Sequence, residues 1–216
     1  TFSDAVGDVT LVDGGINGST GVLTGTSYAV QDGIISAILA GSGALTKTTT
    51  GTVILSGVNT RTGATTITAG ILSVSTIGNG GVAGNLGAAT STAANLTLNG
   101  GTLRYTGTTA TTDRNFVLSA ATTSTINVTT NTLTLTGAST STSGALIKDG
   151  NGTLVLSGNN LHTGATTVSA GTIQLGAAER ITGSLIVDAT FDMNGFSETV
   201  AALAGTGTVT SSSAGT

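Results

Sequence analysis

Residues 45–74 read LTKTTTGTVILSGVNTRTGATTITAGILSV, and residues 146–175 read LIKDGNGTLVLSGNNLHTGATTVSAGTIQL. The two segments align without a gap at an offset of 101 residues, and 15 of their 30 positions are identical. Each copy is too small to bury a hydrophobic core of its own. A block that recurs at a fixed offset in this way is typical of stacked coils, so the repeat predicts a solenoid.

A third, partial copy begins at residue 203. Residues 203–207 read LAGTG, and residues 39–43, which lead into the first full copy, read LAGSG. The sequence therefore predicts one solenoid domain over residues 1–216, with repeat cores at 45–74 and 146–175. We expect this domain to be an excerpt from a longer array of the same kind.

Short apolar runs within the repeat predict strands rather than helices. Residues 53–55 and 154–156 are three-residue apolar runs, and pairs such as Leu103/Tyr105 alternate with polar residues at a period of two. This alternation places one face in a core and leaves the other in solvent. Thr, Val and Ile favour strands, and Gly at this density would interrupt helices.

The arrangement of the strands has two solutions, because the Asn-Gly dipeptides would also suit the tight hairpins of an antiparallel sandwich. The fixed-offset repeat favours the parallel arrangement. We therefore predict an all-β fold, a right-handed single-stranded parallel β-helix, since parallel crossovers are almost always right-handed. Coils of roughly 20 to 25 residues would give about nine or ten turns.

Composition excludes several classes of function. Only 7% of the residues are charged, 34 are Gly, and Pro, Cys and Trp are absent. The chain has no run of about 18 apolar residues that could span a membrane as a helix. Its six basic residues are scattered and its net charge is −4, so it offers no patch for phosphate backbones. We expect neither nucleic-acid binding nor membrane insertion by this segment.

The two repeat cores resemble a known sequence family. Residues 51–72 and 152–173 follow the pattern G-T-L-x-L-S-G-x-N-x-x-T-G-x-T-T-V-x-x-G-T-L, which is similar to the passenger-associated transport repeat of bacterial autotransporters. Residues 9–15 and 184–196 look like further coils of the same kind. The resemblance implies a secreted β-helical passenger at the bacterial cell surface, with a structural or adhesive task.

The partners that this interpretation implies are the same solenoid, by continuation or by end-to-end stacking, and a host or neighbouring-cell surface. An alternative is a subunit of an extracellular filament or sheath built from stacked β-helices. A further alternative is a polysaccharide-active enzyme on the same scaffold, in which Asp188, Asp192 and Glu198 would supply the two carboxyl groups that glycosidases need.

Few residues are candidates for chemistry. His162 is the only histidine, and its counterpart in the first copy is Arg61, so we expect an exposed turn residue rather than a general base. We expect Asp188 and Asp192 to be solvated turn acids. Three further acids, Asp4, Asp8 and Asp13, are expected in an exposed first coil.

Two residue types recur between the copies. The recurrence of Lys47 and Lys148 indicates either a binding residue repeated on one face or solvated charges that discourage pairing between strand edges. We favour the second interpretation. Asn59 and Asn160 predict a turn or a ladder inside a corner. The glycines at 80–84 lack the Asp of the calcium-binding G-G-x-G-x-D repeat. We therefore expect no catalytic, cofactor-binding or metal-binding residues, and no cofactor.

Overall fold

The structure is a computed structural model that describes residues 3–212. It contains 25 β-strands and one turn of 3₁₀ helix, Ala93–Asn95. The strands are β1 Ser3–Ala5, β2 Asp8–Leu11, β3 Gly15–Ile16, β4 Val22–Thr24, β5 Ser27–Val30, β6 Gly33–Ile35, β7 Ile38–Ala40, β8 Ala44–Lys47, β9 Thr52–Leu55, β10 Thr65–Ile67, β11 Ile71–Val74, β12 Leu96–Leu98, β13 Thr102–Tyr105, β14 Ala110–Thr112, β15 Val117–Leu118, β16 Thr123–Val128, β17 Thr132–Leu135, β18 Ala145–Asp149, β19 Thr153–Leu156, β20 Thr166–Val168, β21 Thr172–Leu175, β22 Leu185–Val187, β23 Thr190–Asp192, β24 Leu203–Ala204 and β25 Thr208–Thr210. Within residues 3–212, no helix is long and apolar enough to cross a membrane.

The strands form four parallel sheets that run along one axis. The long sheet has the order β3-β6-β9-β11-β13-β16-β18-β20-β22-β24. The first-half sheet is β2-β5-β8-β10-β12-β15, and the second-half sheet is β14-β17-β19-β21-β23-β25. A three-stranded sheet, β1-β4-β7, completes the first coils. Neighbours in each sheet come from successive coils, so the predicted parallel β-solenoid is confirmed.

The solenoid has about 11 turns, slightly more than the sequence predicted. The reason is that several coils are shorter than expected, as the pairing of Ile16 with Ile35 and of Ile186 with Ala204 shows. One coil is much longer than the others. Ile71 pairs with Thr102 because a loop intervenes between β11 and β12.

Inward rows of apolar side chains form the core. On the long sheet, Val53, Leu72, Leu103 and Ile126 occupy consecutive rungs of one column and are all buried. Each buried side chain of this size stabilises the fold by roughly 1.5–3 kcal/mol. The residues that alternate with this column are mostly polar, and Thr, the most frequent of them, has a branched side chain that suits a half-exposed pleated surface.

The two repeats lie on different faces of the solenoid. In the first repeat, β8 and β10 belong to the first-half sheet, and β9 and β11 belong to the long sheet. Their counterparts β18 and β20 belong to the long sheet, and β19 and β21 belong to the second-half sheet. The second repeat is therefore turned about the axis by one face, and residues shared by the repeats do not form one row on the surface.

Candidate binding surface and buried polar positions

Lys47 and Lys148 are fully buried, so the expectation of solvated charges was wrong. Each ammonium group donates three hydrogen bonds to main-chain carbonyl oxygens, two on the adjoining corner and one on the next coil. The acceptors and distances are Thr48 O at 2.5 Å, Thr49 O at 2.9 Å and Ala69 O at 3.3 Å for Lys47, and Asp149 O at 2.9 Å, Gly150 O at 2.7 Å and Ala170 O at 3.0 Å for Lys148. Three donors on one nitrogen match three converging carbonyls, which is why a lysine is accommodated here.

Burial has an electrostatic consequence for these lysines. It lowers the pKa of Lys47, and it lowers the pKa of Lys148 to about 8, against a smaller opposing effect of Asp149. The same corner contains a left-handed residue in both repeats, Thr49 with φ 62° and Gly150 with φ 78°. The left-handed turn directs carbonyl groups inward, and the lysine satisfies them.

His162 and its counterpart Arg61 are also fully buried, so the expectation of an exposed turn was wrong for His162. The imidazole Nδ1 lies 3.2 Å from Ser139 Oγ, and Nε2 lies 2.9 Å from Thr166 Oγ1. Arg61 donates to the hydroxyl of Thr65, the residue equivalent to Thr166, and to three carbonyl oxygens. Burial lowers the pKa of His162 to about 4 and that of Arg61 to about 10.

Asn59 and Asn160 lie inside the corners of their coils. Asn59 Oδ1 accepts a hydrogen bond from Leu39 N at 2.8 Å, and its Nδ2 donates to Asn85 O at 2.7 Å. Asn160 Nδ2 donates to Gly158 O at 3.1 Å. Both residues are buried, as a position inside a corner requires. They serve the corners of the scaffold and present nothing to a ligand in solvent.

The three carboxylates of the enzyme alternative bind main-chain amides. Asp192 is buried, so solvation was a wrong expectation for it, and it accepts from Gln174 Nε2 and from two amides. Burial would raise its pKa, but hydrogen bonds, led by those from Ser212 and Gln174, outweigh burial and hold it at about 2. Asp188 is exposed, and Glu198 accepts from the amides of residues 180 and 181.

Other acids lie where the sequence placed them or serve the scaffold. Asp4, Asp8 and Asp13 are exposed on the first coil, as expected. Asp8 accepts hydrogen bonds from the hydroxyls of Thr26 and Ser27, which lower its pKa. Over the described range 3–212, no three His, Asp or Glu side chains are grouped so that they could hold a metal ion.

Sequence reasoning missed Arg114, which holds the long loop between β11 and β12. The guanidinium of Arg114 is buried and donates to five main-chain carbonyls of the loop, those of Gly78, Asn79, Val82, Gly87 and Ala89. The loop also forms an antiparallel bridge between Asn59 and Gly84, against the parallel direction of the sheets. The signal in the sequence was the glycine-rich run at 78–84, which interrupts the strand pattern for longer than a simple turn does.

An apolar double row, which we call the isoleucine row, is exposed on coils two and three. It consists of Ile34, Ser36 and Ile38 on one strip and Ile54, Ser56 and Val58 on the next, with Ile34 paired to Ile54 and the serines between the apolar side chains. Ile34 is 47% exposed, Ile54 41% and Val58 58%. A groove of about 580 Å³ lies beside the row, lined by Asn17, Gly18, Ser19, Ser36, Ile38, Ser56, Gly57 and Val58.

One strip of the isoleucine row, with Ile54 and Val58, belongs to the first repeat and the other to the coil before it, and the second repeat lacks one of the two apolar side chains of the first-repeat strip. The residues equivalent to Ile54 and Val58 in the second repeat are Val155 and Asn159. None of the side chains that line the groove carries a charge. The row is therefore a candidate for contact with an uncharged partner, and the second repeat supplies an internal comparison.

Comparison with known proteins agrees with this architecture. The Passenger-associated-transport-repeat model matches residues 45–74 and 146–175. The chain is 44% identical over 162 residues to the adhesin BmaC autotransporter of Brucella suis biovar 1 (strain 1330). The aligned region covers 71% of this chain and 5% of that protein, so the chain spans a small part of the relative's length. No solved structure gives a significant match. The chain is thus a β-solenoid that carries two passenger-associated transport repeats, at residues 45–74 and 146–175.

Proposed function

We propose that this chain is a structural and adhesive segment of an autotransporter passenger, displayed on the bacterial surface and without catalytic activity. The observation that carries the proposal is how the interior polar groups are used. Lys47, Lys148 and Arg114 bind carbonyl groups of their own and neighbouring coils. Such bonds join coil to coil, and a stack joined in this way forms a stiff rod.

The adhesive part of the proposal rests on the relative and on the surface. The relative is named an adhesin, and this chain matches a small fraction of it. The isoleucine row is uncharged and exposes the apolar side chains of Ile34, Ile54 and Val58, so it is the part of the described surface where we first look for contact with a host or neighbouring cell. For Asp188, Asp192 and Glu198 we propose a scaffold role, because each accepts hydrogen bonds from main-chain amides.

Two measurements on the purified chain test the proposal. Sedimentation velocity should give the frictional ratio of an elongated monomer, and a compact sphere would contradict the structural part.

Beads coated with the chain should bind cultured epithelial cells more than beads coated with albumin. Binding should fall in a variant with Ile34→Thr, Ile54→Thr and Val58→Thr. The control carries Val155→Thr and Asn159→Thr in the second repeat and should bind like the parent chain. Equal binding by all coated beads would contradict the adhesive part.

A further inference from the structure

The hydrogen bonds around His162 fix its protonation state. Ser139 Oγ accepts from the amides of Leu161 at 2.9 Å and His162 at 3.3 Å. Since a hydroxyl oxygen has two lone pairs, both are engaged, and the serine must donate its own proton to His162 Nδ1. Nε2 then carries the imidazole proton and donates it to Thr166 Oγ1. The site is built for a neutral histidine.

A second proton would enter a site that has no acceptor for it. Protonation of Nδ1 would set an N–H donor against the Ser139 hydroxyl, whose lone pairs already serve two amides. Ser139 and Thr166 are buried beside the fully buried imidazole. The result would be a charged, unpaired group in the interior, which is among the costliest arrangements in a protein.

The charged side chains on the coils adjacent to His162 form hydrogen bonds with groups other than the imidazole. Lys148 and Arg114 donate to carbonyls, Arg180 donates to Asn159 Oδ1, Glu179 accepts from Thr199, and Glu198 accepts from the amides of residues 180 and 181. Burial alone accounts for the lowered pKa of His162, without a contribution from any of these charges. In the first repeat the equivalent Arg61 has three carbonyl acceptors for its permanent charge.

We propose that His162 makes the second repeat an acid-sensitive junction of the rod, which loosens in mildly acidic medium while the first repeat stays closed. The junction joins the coil of Ser139 to the coil of His162 and Thr166. It is a regulatory property of the scaffold and is independent of whether the segment is adhesive.

The direction of the pH effect follows from the two protonation states. The unfolded histidine binds its proton near pH 6.5, whereas in the folded chain burial lowers the pKa to about 4. Between these values the unfolded chain binds more protons, so stability falls as pH decreases from 6.5 to 4. The shift corresponds to a roughly 300-fold weaker binding of the proton by the folded state.

Because His162 is the sole histidine, its imidazole resonances can be followed by NMR without assignment by mutation. A titration should give a pKa of about 4, and a value near 6.5 would overturn the proposal. This measurement uses the unmodified chain, so it remains decisive if a variant fails to fold.

Hydrogen exchange tests whether the loosening is local. Thr163 N donates to Thr142 O in the second repeat, and its counterpart Thr62 N donates to Gly41 O in the first. From pH 7 to pH 4.5, after correction for intrinsic rates, protection of Thr163 should fall at least tenfold more than that of Thr62. In His162→Gln, which keeps one donor and one acceptor, the difference should disappear. Equal loss in both repeats, or an unchanged difference in the variant, would contradict the proposal.

Discussion

Thr49 and Gly150 occupy the same place in the two repeats and adopt the same left-handed backbone, with φ 62° and 78°. A β-branched residue is strained in this region by roughly 1–2 kcal/mol, whereas glycine is not. Thr49 recovers little of that cost, since its hydroxyl reaches Gln31 O only at 3.3 Å. The second repeat therefore has the residue that the backbone prefers, and the first repeat does not.

We expect Thr49→Gly to raise the free energy of unfolding by about 0.5–1 kcal/mol, the relief of strain less the entropy that glycine loses on folding. The reciprocal change, Gly150→Thr, should lower it by more than about 2 kcal/mol, since a Cβ there would lie 2.4 Å from Val128 O. Urea unfolding monitored by circular dichroism measures both. Thr111→Ala, at an exposed position of β14, is the control and should change little. Destabilisation by Thr49→Gly would refute this account of the corner.

The sequence predicts the burial of some side chains better than that of others. Lys47 alternates with Leu45 at a period of two, so the strand pattern already put its side chain inside, and only its charge argued for solvent. Asp192 and the preceding Phe191 are both buried, so alternation at a period of two could not have predicted the burial of Asp192. His162 lies outside any strand, but it continues the alternation of buried residues that starts at Leu154, so extending the period of two beyond β19 would have predicted its burial.

At the scale of strands and turns, the contacts between successive coils are set by glycines. A Cβ added at Gly63 would lie 2.3 Å from Gly43 O, and one at Gly164 would lie 2.3 Å from Gly144 O. These glycines stand in the TGAT segment that both repeats share. The shared glycine is therefore required because the backbones of two coils approach each other closely at this position. Neither composition nor alternation could have predicted this requirement.

The Gly164→Ala variant should lower the free energy of unfolding by about 1–3 kcal/mol, because the methyl group forces adjacent coils apart. Gly7→Ala is a matched control, since a Cβ at Gly7 meets nothing within 4 Å. It should leave stability unchanged or raise it by a few tenths of a kcal/mol through the unfolded state. Thermal unfolding of the two variants beside the parent chain gives the comparison. Equal stability of Gly164→Ala and Gly7→Ala would mean that the coils are packed less closely than described.

At the scale of the whole molecule, the second repeat is rotated about the solenoid axis relative to the first, although the two repeats align at a fixed offset in the sequence. The sequence predicted a solenoid, its strands and its inward rows, because these depend on local alternation and on self-similarity. It could not predict that β18 lies in the long sheet while β8 lies in the first-half sheet. That difference depends on the lengths of the intervening coils, and the loop between β11 and β12 makes one of them far longer than its neighbours.

A solenoid whose coils contact only their neighbours should tolerate the loss of one whole coil. Thr153 pairs with Thr172, and Leu146 pairs with Thr166, which pairs in turn with Leu185. Deletion of residues 153–171 would therefore let β21 pair with β17 and β22 pair with β18 in the native register. Ala189 would then take the place of Ala170 and offer its carbonyl to Lys148.

We expect this whole-coil deletion to fold with an unchanged strand signature in circular dichroism. Its urea m-value should be lower by roughly a tenth, because m scales with the surface exposed on unfolding. Deletion of residues 153–162, which removes about half a coil, is the contrasting variant. It should fail to fold or aggregate, since the strands of the following coils would then stack on turns and lose their native register. If both deletions fold equally well, or neither folds, the chain does not behave as a stack of separable coils.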